Sequence, residues 1–230
     1  MKNILLLTDY SENSINAMRY ALQLFKGNLC QFYVLHVQRS TSYTSDDLIL
    51  AGNQSIYNAI VKKASQKLEK IVEPLEKAFK TKNFSFHTIV DFDVLTDAIK
   101  QVIKSKHIDL IVMGTNGVTG AKEIVFGSNT INVIRKINCP TLVVPEAYRY
   151  SIPKEVLLPL DLFDSINGAA LNHVVKFVKH FSNALHLLRI KPHDEDSNEE
   201  KKDQEHISYF FEKIDYKYHV IRNVPMHYAV

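Results

Sequence analysis

Only two of the 230 residues are cysteine, Cys30 and Cys139, and no spacing pairs them. Each precedes a β-rich run where a small buried hydrophobe fits, so a disulfide scaffold is excluded as an organising principle. Charge of one sign is also scarce. Against 28 basic residues stand 25 acidic ones, a formal net charge of +3, which gives no ground for a nucleic-acid or membrane surface. Residues 151–230 hold ten basic and twelve acidic side chains, so neither half is a charged arm. Long apolar runs are missing as well. The longest early one, Ile4 to Leu7, gives way at once to Thr8 and Asp9, too short for a signal-peptide core or a membrane span. A cytoplasmic protein is expected. No Walker A sequence and no strict G-x-G-x-x-G is present, which removes the usual kinase, GTPase and dinucleotide fingerprints. Seven of the ten histidines fall in the last 80 residues, yet none shows an H-x3-H or Cys-x2-Cys spacing with a matching partner. They read as surface or packing residues.

What is present is an average globular composition, 46% hydrophobic, 23% charged and 10% aromatic, enough for a sizeable core. In the first 150 residues short aliphatic or β-branched runs alternate with longer segments of helical period, the pattern of a parallel sheet flanked by helices. Strands are predicted at Asn3 to Leu7, Gln31 to Val37, Phe84 to Val90, Leu110 to Met113 and Thr141 to Val144. Ile4-Leu5-Leu6-Leu7 and Leu110-Ile111-Val112-Met113 are continuously apolar, as strands buried on both faces should be. Helices are predicted from Ser11 to a stop at Gly27-Asn28, from about Ile56 to Phe79 with a kink at Pro74, from Val94 to Ser105 and from Asn129 to Lys136. The polar stretch Ser40 to Gln54 reads as a loop.

The second half repeats the first. With Asp161 set under Asp9, Lys154 falls under Lys2, Leu157-Leu158 under Leu5-Leu6 and Phe177 under Phe25. One inserted residue later, Leu187 to Ile190 lies under Val34 to Val37, and Tyr216 to Ile221 lies under Phe84 to Ile89, which sets His219 under His87. Order and pattern persist through three strands, the mark of a tandem duplication. Lys191 to Glu205, between the second and third strands of the copy, is polar and acid-rich and is expected to be a solvated loop. The copy is expected to be incomplete, about 50 residues short of a full repeat. The predicted domains are therefore 1–148, complete, and 149–230, partial.

The most informative segment runs from Met113 to Thr130, from the end of a buried strand to the start of a helix. Gly114, Gly117 and Gly127 allow close backbone approach to a bulky anion and permit positive φ. Ser128 and Asn129 then stand at a helix N-terminus, where amide groups and the helix dipole favour phosphate. The competing account is an ordinary turn in which the glycines only reverse the chain and Ser128 or Asn129 only caps the helix. Asp9 carries a similar alternative, as a cap for the helix that follows, although Ser11 is available for that work.

These residues resemble the universal stress protein family. The spacing Gly114-x2-Gly117-x9-Gly127-Ser128 is similar to the glycine motif of its ATP-binding branch, and Leu6-Leu7-Thr8-Asp9-Tyr10-Ser11 to its first-strand signature, with Leu7 where many members have proline. The resemblance covers residues 1 to about 146, and the repeat more weakly. It implies an open α/β fold of five parallel strands, Rossmann-like and of the adenine nucleotide α-hydrolase kind, with ATP or another adenine nucleotide across the carboxyl ends of the strands, together with Mg²⁺. By position, Asp9 with Thr8 beside it would meet the adenosine part, the Val37 backbone the adenine, and Met113, Gly114, Gly117, Gly127, Ser128 and Asn129 the ribose and phosphates. In the copy Leu160 replaces the threonine and no glycine loop follows, so no complete second site is expected.

The implied function is a nucleotide-switched stress-response regulator or adaptor with a protein partner. At most slow ATP hydrolysis is expected, because no general base, nucleophile or second carboxylate stands near the motif. A second reading is a non-nucleotide interaction module, a homodimer or pseudo-dimer joined through the edge strand Thr141 to Val144. A third, an enzyme splitting ATP between its α and β phosphates, lacks the H-I-G-H and S-G-G-x-D-S signatures of that group.

Overall fold

The computed structural model describes residues 1–38, 54–115, 126–161, 164, 166, 169–191, 203, 206–207, 211 and 214–225. The predicted loop Ser40 to Gln54, save Gln54 itself, and the stretch holding Gly117 lie outside the described residues. Two compact units are present, Met1–Tyr150 and Ser151–Val230.

In the first unit β1 (Lys2–Thr8), β2 (Cys30–Val37), β3 (Phe84–Asp91), β4 (Leu110–Gly114) and β5 (Thr141–Val144) form one sheet in the order β3-β2-β1-β4-β5, all neighbours parallel. The continuously apolar β1 is central, paired with β2 on one side and β4 on the other. Its side chains alternate between faces, and Ile4, Leu5, Leu6 and Leu7 are all buried. Full burial of each such side chain is worth about 1.5–3 kcal/mol relative to exposure.

Four helices connect the strands: α1 (Glu12–Leu24), α2 (Gln54–Ala78), α3 (Leu95–Lys106) and α4 (Ser128–Lys136). Right-handed crossovers place α1 and α2 on one face and α3 and α4 on the other. On the latter, Ala98, Ile99 and Val102 of α3 and Val133 of α4 join Leu5, Leu7, Leu35, Ile111 and Met113 in one core. Ser11 is the N-cap of α1, its side chain accepting from the Ser14 amide. The helix ends on Phe25, two residues before the predicted glycine stop, and Gly27 turns the chain at φ +90°, a conformation that costs other residues strain. Pro74 lies inside α2, which runs on to Ala78.

Cys30 and Cys139 are both free thiols. Burial pushes both up, Cys139 to about 11, so they stay protonated at neutral pH. No helix among the described residues is long and apolar enough to cross a membrane.

The second unit carries a three-stranded parallel sheet in the order β6-β7-β8, from β6 (Glu155–Leu160), β7 (Ala184–Lys191) and β8 (Asp215–Arg222), with α5 (Ala169–Phe181) after β6. The first two strands take the predicted register: Glu155 pairs Ala184 as Asn3 pairs Gln31. The third is displaced by two. His87 pairs Tyr33, but the residue paired with His186, the counterpart of Tyr33, is Lys217 and not His219. A strand pattern has period two, so a slip of two keeps every side chain on its face and leaves the apolar pattern intact. His219 instead sits beside His186, ring nitrogens 3.2 Å apart.

The expectation of a solvated loop from Lys191 to Glu205 is corrected at both described positions. Lys191 is the buried last residue of β7, and Asp203 is buried against Arg189. Composition reports average polarity, whereas burial of a charge depends on a partner brought in from elsewhere in the fold.

Candidate functional site

In the first unit the chain runs outward from β1 through β2 to β3, then returns past β1 to β4. The carboxyl ends of β1 and β4 therefore flank the switch point of the sheet, where open α/β sheets leave a crevice. β1 ends at Thr8 and β4 at Gly114, and the first turn of α1 lies over both.

The turn after β1 is fixed by short-range bonds. The Thr8 hydroxyl lies 2.8 Å from the Ser14 hydroxyl and accepts from the Tyr10 amide at 2.9 Å, so it is committed to the turn. Asp9 is exposed, and its Oδ1 accepts from the Ser11 amide at 3.0 Å. Partial burial pushes its carboxyl up, but the Ser11 hydrogen bonds outweigh that and hold it below its usual range, so it is ionised at neutral pH. Tyr10 between them adopts φ +70°, a left-handed conformation that costs a non-glycine residue about 1–2 kcal/mol. Three contacts hold it: its ring centre lies 3.9 Å from that of His36, Nζ of Lys67 in α2 stands over the ring at 4.1 Å from its centre, and its hydroxyl donates to the Ala64 carbonyl. Burial pushes its phenol up to about 12. His36 in turn places Nδ1 2.9 Å from the Thr8 carbonyl, which fastens β2 to the end of β1.

Gly114 needs its lack of a side chain for space. A Cβ there would stand 2.9 Å from Cγ, Oδ1 and Nδ2 of Asn13, so the Asn13 amide fills that volume. Positive φ is not the reason: Gly27 is the one described glycine in that region, and Gly127 has φ −65°. The Thr130 hydroxyl donates to the Gly114 carbonyl at 3.4 Å and the Thr115 amide to the Val144 carbonyl at 3.0 Å, which ties the first turn of α4 and the end of β5 to the same corner. The N-cap of α4 is Gly127, which has no side chain of its own to cap the helix. Ser128 and Asn129 are thus inside the helix and are not its cap.

Thr8, Asp9, Gly114, Gly127, Ser128 and Asn129 accordingly come to one edge of the sheet, around the ends of β1 and β4 and the start of α4. Val37 ends β2 one strand away, opposite Asp91. The Met113 side chain is buried in the core with Leu5 and Val133. Gly117 lies outside the described residues. Sequence reasoning passed over Asn13 and Thr115, whose Oδ1 and Oγ1 are buried with no hydrogen-bond partner among the described residues. Such an orphaned buried atom costs about 1–3 kcal/mol. A helix start with a glycine N-cap, an ionised carboxylate and two polar atoms unsatisfied among the described residues make a corner whose chemistry suits a polyphosphate bearing hydroxyl groups.

The second unit treats the corresponding edge differently. Arg189, the counterpart of His36, is fully buried and donates through Nε and Nη2 to both oxygens of Asp203, at 2.8 and 2.5 Å. Its Nη1 donates to the Asp161 and Asp164 carbonyls, and the Tyr218 hydroxyl to Asp203 at 2.6 Å. Burial and the Asp203 carboxylate push the Tyr218 phenol well up. Burial alone would lower the Arg189 guanidinium, but Asp203 overrides it and raises it.

Comparison with known proteins agrees with this architecture. The sequence profile of the universal stress protein family matches residues 1–145. Universal stress protein MJ0531 of Methanocaldococcus jannaschii is 30% identical over 143 residues, which cover 62% of this chain and 81% of that protein. The solved structure of MJ0577 from the same organism is 28% identical, covers 64% of this chain and 97% of its own, and superposes with a TM-score of 0.52. A universal stress protein of Archaeoglobus fulgidus, 20% identical, matches in fold over 99% of this chain and 80% of its own, with a TM-score of 0.71. With well over half of its residues matched by the profile and a five-stranded parallel sheet carrying them, the chain belongs to the universal stress protein family.

Proposed function

We propose that the first unit binds an adenine nucleotide, ATP in the first instance, at the carboxyl ends of β1 and β4, and that occupancy switches the protein as a stress-response regulator or adaptor. The observation that supports this reading is the start of α4 on a glycine N-cap, Gly127, with the first turn held by Thr130 against the Gly114 carbonyl at the switch point of the sheet. Asp9 and Thr8 flank the adenosine side, the Val37 backbone meets the adenine, and Met113, Gly114, Gly117, Gly127, Ser128 and Asn129 form the ribose and phosphate side, Met113 through its main chain. Among the described residues no group of three His, Cys, Asp or Glu side chains gathers to hold a metal. Mg²⁺ would therefore arrive on the polyphosphate and keep most of its water. The second unit has its Arg189, Asp203 and Tyr218 joined to one another at the corresponding edge, which supports a single nucleotide per chain.

Calorimetric titration of the purified protein with Mg-ATP, with AMP and GTP as controls, is expected to give micromolar binding at one site per chain. No binding to a folded protein would overturn the nucleotide reading and favour an adaptor whose glycine segment is structural.

The second reading, association through an edge, rests on β5. Among the described residues Thr141–Val144 pairs with β4 alone, which makes it an edge of its own sheet. Light scattering is expected to report a dimer, and a clean monomer at micromolar concentration would remove this reading.

A further inference from the structure

Asn13 and Thr115 are the unexplained residues of the crevice. Their neighbours show how complete the bonding there otherwise is. Ser14, next to Asn13, donates to the Ser11 carbonyl and lies against the Thr8 hydroxyl. Thr130 is as buried as Thr115, 1% exposed, and its hydroxyl has the Gly114 carbonyl. Two threonines of equal burial thus meet at one corner, one satisfied and one not. Buried polar atoms in native proteins have partners as a rule, and an orphan at the edge of a crevice is open to a partner supplied by a ligand. The glycine at 114 reinforces this for Asn13: the strand end gives up its side chain and the Asn13 amide lies in that space.

We propose that Asn13 and Thr115 contact the ligand directly, Asn13 taking a ribose hydroxyl and Thr115 a phosphate oxygen. This rests on the nucleotide reading above. An orphaned Oδ1 is an acceptor and requires a donor, and on a nucleoside phosphate the sugar hydroxyls are donors whereas the phosphate oxygens are not. The Thr115 hydroxyl can donate, and it directly follows the strand residue to which the first turn of α4 is bonded, on the anion-favouring side of the crevice. Asn13 lies on α1, the helix that Asp9 and Ser11 introduce, on the adenosine side. Sugar and phosphate are then sorted by which orphan each can satisfy.

The test is calorimetry of the full chain with Mg-ATP and with its 2′,3′-dideoxy analogue, on the natural protein, Thr115→Val and Asn13→Ala, alongside their melting temperatures. Thr115→Val keeps the shape and removes an unpaired hydroxyl. It is expected to melt no lower than the natural protein yet to bind ATP about tenfold more weakly. A merely structural threonine would give the same melting behaviour with unchanged affinity, and that result overturns its assignment. The natural protein is expected to prefer ATP over the dideoxy analogue by about tenfold, and Asn13→Ala to bring the two to parity. Equal binding of both nucleotides by the natural protein overturns the ribose assignment even if Asn13→Ala does not fold. A natural protein that binds neither nucleotide overturns the nucleotide reading itself, and this inference with it.

Discussion

Gly114→Val is expected to weaken ATP binding by about 100-fold or more, a loss of about 2.8 kcal/mol, while the first sheet stays folded. The added Cβ alone would come within 2.9 Å of three atoms of the Asn13 side chain. Asn13 is short, and its amide has to leave the space altogether, carrying Oδ1 away from the crevice; the two methyl groups of valine then intrude at the strand end. Overpacking of this kind costs about 1–3 kcal/mol, which a sheet with β1 buried on both faces withstands. Hydrogen exchange of the β1 and β4 amides checks that the sheet is intact. Gly27→Ala is the control of opposite character. At φ +90° and with no atom within 4 Å of its Cβ, it is expected to cost about 1–2 kcal/mol of stability and leave ATP affinity unchanged. If Gly114→Val bound ATP within threefold of the natural protein, the corner between β1 and β4 would not be the site.

Arg189→Met is expected to destabilise the second unit by about 3–5 kcal/mol, the toll of removing one partner from a buried ion pair. The guanidinium spends all of its described bonds inside the unit, on both Asp203 oxygens and on the carbonyls of Asp161 and Asp164, and none of them is exchanged with bulk water because Arg189 is 0% exposed. Without it Asp203 is a lone buried carboxylate that still receives the Tyr218 hydroxyl. Loss of amide protection in β6, β7 and β8 measures the effect unit by unit. The combined variant Arg189→Met, Asp203→Leu, Tyr218→Phe is expected to recover most of the loss, because an apolar replacement of a whole buried network is close to neutral. A loss below about 1 kcal/mol for Arg189→Met alone would mean that the pair is solvated in solution and behaves as a surface salt bridge.

Much of the first unit is legible in the sequence. β5 agrees end for end with its predicted range, the other four strands lie within one residue at either end, and α3 and α4 within one residue, because a strand buried on both faces must be apolar throughout and a crossover helix must keep a 3.6-residue stripe. Ser11 as the cap of α1 was legible for the same local reason: a cap bonds within its own turn. The first two strands of the repeat were legible too. The third was misplaced by two residues, since the alternation that reveals a strand is blind to shifts of its own period.

Around the candidate site the division follows the range of the interactions. Gly114, Gly127 and Ser128 could be picked out because each stands at a strand end or a helix start, positions that local pattern marks, whereas Thr8 and Asp9 came from the resemblance of Leu6 to Ser11 to the family's first-strand signature. Asn13 could not: its importance comes from Gly114, a hundred residues away in the chain, and it otherwise reads as an ordinary polar residue of a first helical turn. Thr115 and Thr130 are alike in sequence and equally buried, and only the packing at the end of β4 makes one satisfied and the other an orphan. Arg189 and Asp203 are the strongest instance, since they stand fourteen positions apart across a largely polar stretch and nothing in that composition says that both are buried. The sequence by itself determined where the chain is apolar, where it turns and where it caps, because those preferences are settled within a few residues. The tertiary structure alone decided which polar atoms meet, because a buried hydrogen bond or ion pair exists only where two distant segments close on each other and exclude water.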